Sequence, residues 1–233
     1  MLDEDAAVMV DCGGSGRKDA GSLAADYLYS KGKLRLDILV LTHLHEDHTN
    51  GVAALMERLP VSYLILPEDY DDEDRMLAEI LSAAERQDTT VLFLSEEVTA
   101  RAGGISLTLL LPEAGSSENE RGIVVLAQLA DMSALVMGDA GQSAELALME
   151  RGVVPDVDVL VVGHHGSGSA SGLLFLRAAC PETAAISVGA GNPYGHPAAQ
   201  TVERIEDTGA ALFRTDEDGA ITIRQKAGSM LHG

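Results

Sequence analysis

The sequence predicts an α/β protein in which two sheets pack face to face with helices outside, a four-layer αββα sandwich. Three observations lead there. Short apolar runs alternate with helical stretches along nearly the whole chain. The pattern of strands and then helices occurs twice, in halves of about 1–115 and 116–233 that together read as a single domain spanning 1–233. Polar clusters rich in histidine and aspartate follow the apolar runs directly, where strands open into loops. Alternation alone also fits an ordinary doubly wound sheet, and the motifs decide between the two.

Ala7–Val10 is a short apolar run ending at Asp11-Cys12-Gly13-Gly14. A helix is expected over Ala20–Ser30, and the nearly continuous apolar run Leu36–Leu41 reads as a buried strand. A second helix is expected over about Gly51–Leu59, with Thr49 or Asn50 placed to cap it. Strands at Ser62–Leu66, Val91–Leu94 and Ile105–Leu111 surround a helix at Asp74–Arg86, and the stretch Pro112–Gly122 is loop-like. The rhythm then repeats. Ile123–Ala130 and Ala134–Met137 form a hairpin turning at Asp131–Ser133, followed by a helix at Gln142–Arg151 and a strand at Val157–Val162. Helices at Ser171–Ala179 and Ala198–Thr208 alternate with strands at Ala184–Val188, Ala211–Arg214 and Ala220–Arg224, and the tail from Gln225 is expected to fray.

Composition narrows the function classes. Apolar residues make up 46% of the 233, enough for a sizeable core built from Leu, Val, Ile and Ala, since aromatics are only 3%. No apolar run approaches the ~20 residues that span a bilayer, and the acidic start Met1-Leu2-Asp3-Glu4-Asp5 is unlike a signal peptide. A free-standing chain of this kind is expected in the cytoplasm. Sixteen basic against 37 acidic residues leave a net charge of −21, which repels polyanions at long range and argues against strong nucleic-acid affinity. The acid clusters at Asp3–Asp5, Glu68–Asp74 and Asp216–Asp218 read first as solvated loops. Two cysteines, Cys12 and Cys180, make no disulfide framework and no Cys-x-x-Cys knuckle; both are expected as buried free thiols.

The chemistry concentrates at His43-Leu44-His45-Glu46-Asp47-His48, four potential ligands in six residues between a buried strand and a helix. Imidazole with carboxylate suits zinc, manganese or iron(II). In an extended turn, positions 43 and 45 point the same way and reach one ion, while Asp47 and His48 turn toward a second. Asp139, after Gly138 at the end of the hairpin, has two oxygens to share between two ions; the competing reading is a helix cap near Gln142. His164-His165-Gly166-Ser167 ends another strand. Adjacent side chains diverge, so one histidine ligates and the other orients a ligand, transfers a proton or touches substrate. His196, in the turn-rich Tyr194-Gly195-His196-Pro197 loop, is a candidate proton donor or phosphate contact, or a structural histidine. Asp11 is either the acceptor that orients a ligand imidazole or a turn residue before two glycines. His232, in the tail, has no role in this reading.

Asp11-Cys12-Gly13, Thr42-His43-x-His45-x-Asp47-His48, Gly138-Asp139, His164-His165-Gly166-Ser167 and Tyr194-Gly195-His196-Pro197 occur in the order found in metallo-β-lactamase-fold hydrolases. Within that superfamily the chain most resembles the soluble domain of the ComEC competence proteins, from about Val8 to Ile223. The resemblance implies the αββα sandwich with a site at its edge. It implies two divalent ions, zinc or manganese: His43 and His45 on one, Asp47, His48 and His164 on the other, and Asp139 bridging. Asp47, His165 and His196 are then the catalytic candidates, and Asp11, Ser167 and Tyr194 support them. The implied activity is phosphodiester hydrolysis by a metal-activated water, as in a nuclease acting on single-stranded DNA. Hydrolysis of a lactone, thioester or β-lactam on the same site is the alternative, as is a non-catalytic domain of a DNA-uptake assembly.

The chain departs from the family pattern in three ways. No further histidine lies between His48 and His164 to complete the His43–His45 ion, which is therefore the less secure of the two. The Gly-Gln-Gly-Asp strand expected before Asp11 is missing, so the sandwich is expected to lack its first edge strand. The channel segments of ComEC are also missing; as a fragment of such a protein, the domain would lie on the extracellular side of the membrane.

Overall fold

The computed structural model describes residues 1–14, 19–68, 75–112 and 121–224. Strands β1 (Val8–Val10), β2 (Leu36–Val40), β3 (Val61–Pro67) and β4 (Thr90–Leu94) form an all-parallel sheet in that order. Parallel neighbours need long crossovers. Helices α1 (Ala20–Ser30), α2 (Glu46–Thr49), α3 (Val52–Arg58) and α4 (Arg75–Arg86) supply them. The second sheet has seven strands: β5 (Val98–Ala102), β6 (Ile105–Leu110), β7 (Val124–Leu129), β8 (Met132–Val136), β9 (Val159–Val161), β10 (Thr183–Ile186) and β11 (Ala211–Arg214). Pairing is antiparallel from β5 to β8 and parallel from β8 to β11. Helices α5 (Gln142–Glu150), α6 (Leu173–Ala179) and α7 (Ala199–Glu206) connect the parallel strands.

Three apolar clusters show the layering. Along β2, Ile38 and Val40 meet Ile105, Leu107, Leu109 and Val125 of the other sheet, whereas Leu39 and Leu41 pack with Ala25, Leu55 and Ile80 of the helices. Along β7, Val125 and Ala127 face the first sheet, and Val124 packs with Leu148 of α5 and Phe175 of α6. This period of two puts one side chain in each layer alternately, so the expected αββα sandwich is present. A short edge segment stands where none is expected: Leu2 bridges Ala7 in antiparallel fashion, and Met1 and Val8 exchange both backbone hydrogen bonds.

Several expected elements change. Val98–Ala102 was not anticipated as a strand, yet it pairs along its length with β6, so the sheets divide before β5. The hairpin turns earlier than expected, at Ala130–Asp131, with Ala130 in the left-handed region and Met132 and Ser133 already in β8. Ala220–Arg224 is not a strand. A short helix α8 (Thr215–Asp218) forms instead, because Asp218 accepts from the Arg214 backbone N–H and Asp216 takes its guanidinium. Neither Thr49 nor Asn50 caps α3; Gly51 holds that position, and Asn50 clamps Gly14 through both ends of its amide. Cys12 is buried as expected but Cys180 is exposed. Most of the Pro112–Gly122 loop, the tail from Gln225 and most of the Glu68–Asp74 cluster lie outside the described residues.

Candidate metal centre

Five segments converge at the carboxyl ends of parallel strands, the usual place for a crevice in such sheets. Asp11 follows β1; residues 42–48 follow β2; Asp139 follows β8; His164 and His165 follow β9; the loop of Tyr194 and His196 follows β10. The first two segments touch backbone to backbone. A Cβ on Gly13 would lie 2.5 Å from the Asp47 carbonyl, so only glycine permits this approach. Cys12 N–H donates to the His48 carbonyl at 2.8 Å across the same seam.

Asp139 sits at the centre, 5% exposed. Its Oδ2 lies 3.5 Å from His43 Nε2 and 3.7 Å from His164 Nε2. Its Oδ1 lies 3.1 Å from His48 Nε2 and 3.5 Å from His165 Nε2. One carboxylate oxygen thus faces each side. It does not cap α5, whose N-cap is Gly141. Donor atoms gather in two groups, each able to surround one ion: His43, His45 and Asp139, and Asp47, His48 and His165.

The imidazoles are pinned through their far nitrogens. His48 Nδ1 is 2.7 Å from Asp11 Oδ2, and His165 Nδ1 is 2.8 Å from the Ser187 carbonyl. Asp11 also accepts from the Thr42 hydroxyl, whose oxygen is 3.1 Å from His43 Nδ1. These acceptors place a proton on Nδ1 of all three rings and turn Nε2 inward, the arrangement a metal-ligating histidine needs. Burial alone would make His48 less basic, but the Asp11 and Asp139 carboxylates beside its two ring nitrogens prevail and push its pKa up to about 10. Burial likewise opposes ionisation of Asp139, and His43 and His48 outweigh it, holding the carboxyl well below its usual range. Yet His43 Nε2 and Asp139 Oδ1 are buried without a hydrogen-bond partner. Buried polar atoms are rarely left so. Two orphaned donor atoms facing the same small space fit a divalent cation on each side of Asp139.

The His164–His165 pair is placed differently from the family pattern. His165, not His164, stands with Asp47 (Nε2 to Oδ2, 3.2 Å) and His48 (3.3 Å). His164 turns toward the His43 side of Asp139 and toward His196, with ring centroids 5.7 Å apart. Both carry left-handed backbones, φ 49° and 51°, each a strain of about 1–2 kcal/mol for a residue with a Cβ. His196 is less basic than usual, through partial burial and then the charges of His164 and His165. Tyr194, 76% exposed, stacks beside it with ring centroids 6.1 Å apart. Ser167 touches no ligand imidazole; its hydroxyl bonds within its own turn to Ser169. An open cleft of about 650 Å³ leads from Asp47 and His165 to Tyr194 and His196. The Cys12 thiol, pushed up to about 12 by burial and by Asp19 and Asp11, is no nucleophile.

Sequence reasoning gave no site role to Thr42, which it quoted in the motif, or to Asn50, which it read as a helix cap, and did not single out Ser187 or Asn192. Asn192 ties the last loop together, accepting from the Tyr194 and His196 N–H groups and donating to the Gly189 and His196 carbonyls. An Asn between glycine and proline was its available signal.

A profile of the metallo-β-lactamase superfamily matches residues 1–190. The chain belongs to the metallo-β-lactamase superfamily. ComE operon protein 3 of Bacillus subtilis is 30% identical over 204 residues, covering 86% of this chain and 26% of that protein. Competence protein ComA of Neisseria gonorrhoeae is 32% identical over 212 residues, covering 87% and 28%. The chain therefore spans about a quarter of the length of these relatives. The metallo-β-lactamase fold protein YhfI of Bacillus subtilis superposes with a TM-score of 0.58 at 12% identity, over 91% of this chain and 85% of that one, which shows the shared fold. The superfamily is generally one of metal-dependent hydrolases, and the two donor groups suit that chemistry. Among the described residues, no helix is long and apolar enough to cross a membrane.

Proposed function

We propose that the protein hydrolyses phosphodiester bonds with divalent ions held on both sides of Asp139. The observation that carries the reading is the shared carboxylate: one buried side chain offers an oxygen to each donor group. His43 and His45 would hold one ion and Asp47, His48 and His165 the other, with His164 beside the first as a further donor. Ions held this way supply a water of lowered pKa and neutralise charge that builds on the substrate oxygens. Asp11 and the Ser187 carbonyl keep Nε2 of His48 and His165 aimed inward.

Geometry favours His196 over His165 as the proton donor to the leaving group. Both nitrogens of His165 are engaged, Nδ1 by Ser187 and Nε2 by Asp47. His196 faces the open cleft, where its imidazole can reach a leaving group. Tyr194, stacked beside it, offers a ring against which a base or aryl group can lie. The competence relatives and the resemblance to ComEC support nucleic acid, single-stranded DNA in particular, as the source of the bond. The net charge of −21 makes polymer binding weak and dependent on divalent cations that screen it.

The test is turnover of a chromogenic bis-aryl phosphodiester, single-stranded DNA and a lactone panel by protein loaded with Zn²⁺ or Mn²⁺. His43→Ala and Asp139→Ala serve as controls. Phosphodiester turnover lost in both variants supports the reading. Turnover that survives both, or turnover of lactones alone, overturns it.

A further inference from the structure

We infer that Glu145 on α5 and Arg204 on α7 are positioning residues: they clamp the backbone just after His164 and His165 and so hold His165 against Asp47 and His48. The inference rests on the reading of His165 as a donor of the second ion. Neither residue lines the cleft.

The argument begins with the backbone. His164, His165 and Gly166 are three successive left-handed residues, with φ of 49°, 51° and 78°. A Cβ on Gly166 would lie 2.6 Å from Pro197, so the third position needs glycine. Such a run persists only where its surroundings over-determine it. The following residues show how. Every carbonyl from Gly166 to Ser171 is taken: Gly166 by Ala198 N–H, Ser167 by the Thr201 hydroxyl, and Ser169 by Gln142 N–H. Gly168, Ala170 and Ser171 are all taken by the single guanidinium of Arg204, at 3.2, 2.8 and 2.9 Å. From the other side, the Glu145 carboxylate accepts the N–H groups of Ser171 and Gly172. Glu145 is 2% exposed, an unusual place for a carboxylate unless its acceptors are used.

Arg204 also lies on the helix that begins just after His196, and its Nη2 bonds Thr201 Oγ1 on that helix. One side chain thus fixes the His164–His165 turn relative to the His196 loop. A planar fork with several donors suits three carbonyls; an ammonium point charge does not.

The test uses Arg204→Ala, Arg204→Lys and Glu145→Gln, with the exposed Arg75→Ala as control. The first readout needs no metal: imidazole ¹⁵N spectra of metal-free protein, in which His165 carries its proton on Nδ1 toward Ser187. The second is Zn²⁺ competition against a chromogenic chelator. We expect Arg204→Ala to lose the Nδ1–H signature and to weaken the ion at Asp47, His48 and His165 by roughly 10–100-fold. The ion at His43 and His45, which takes only His164 from the clamped turn, should weaken less than the ion at His165. Arg204→Lys should fall between, and the control should match wild type. Lower thermal stability with unchanged His165 spectra and unchanged affinity would make the clamp merely structural and overturn the inference. If Arg204→Ala does not fold, the two milder variants carry the same readouts. Wild-type protein that binds no ion overturns the metal reading instead, and the spectra still decide the clamp.

Discussion

The two donor groups beside Asp139 differ in the acceptors behind their imidazoles and in the burial of their histidines. On one side, His48 and His165 each have Nδ1 fixed by a strong acceptor, Asp11 and the Ser187 carbonyl, and Asp47 closes the group. On the other, His43 is buried behind Thr42 but His45 is exposed at the mouth. No third histidine comes from the stretch between His48 and His164, although His164 leans in from the second sheet. Pre-organised donors lose less freedom on binding. The Asp47–His48–His165 side should therefore bind its ion first and more tightly, and the shared carboxylate should make the second ion depend on the first.

The severest break is Asp139→Asn, which keeps the shape and removes the shared charge. Turnover should fall by roughly 10³, the upper range for a group that stabilises transition-state charge, and metal analysis should show neither side fully loaded. A variant retaining wild-type turnover would remove Asp139 from the centre. Separating the sides comes next. His165→Ala should lose the tighter ion and His45→Ala only the weaker one, so calorimetric titration should keep its high-affinity step in the second variant and lose it in the first. The reverse pattern would invert the comparison. Asp11→Asn acts through His48 and Thr42 without touching an ion; a chelator competition should show affinity on the His48 side lowered roughly 10–100-fold.

The fold was largely legible because apolar runs of two kinds of period mark its layers. β2 and β7 alternate between the sheet-facing and helix-facing clusters, and α1 follows its expected bounds. β5 was not legible, since Val98–Ala102 is short, largely exposed and held by pairing with β6 rather than by burial. Ala220–Arg224 misled because its apolar alternation suits a strand, whereas Asp216 and Asp218 turn the chain away through Arg214. In the site, residue identity marked the histidines and aspartates that the fold gathers into the two donor groups. Which of His164 and His165 faces Asp47 depends on left-handed backbones, and those depend on Glu145 and Arg204, far away in sequence.

The smallest expected effect is on metal-free stability. His48 has its pKa raised from 6.5 to about 10, so its stabilising charge is fully present below about pH 6.5 and is lost as pH rises toward 10. Asp139 has the opposite sign: its contribution is present above pH 3.8 and is lost on acidification. Thermal midpoints of metal-free protein should therefore be highest between about pH 4 and 6.5 and decline on the alkaline side. His48→Asn should flatten that alkaline decline. Loading with Zn²⁺ should also reduce it, because the ion displaces the Nε2 proton.

The most direct measurement is anomalous diffraction from crystals soaked with Zn²⁺, first at one equivalent and then in excess. The account predicts a first peak between Asp139, Asp47, His48 and His165. A second should appear at higher metal on the His43–His45 side, about 3.5–4 Å away as in two-metal hydrolases. A first peak on the His43–His45 side, or peaks that do not touch Asp139, would contradict it.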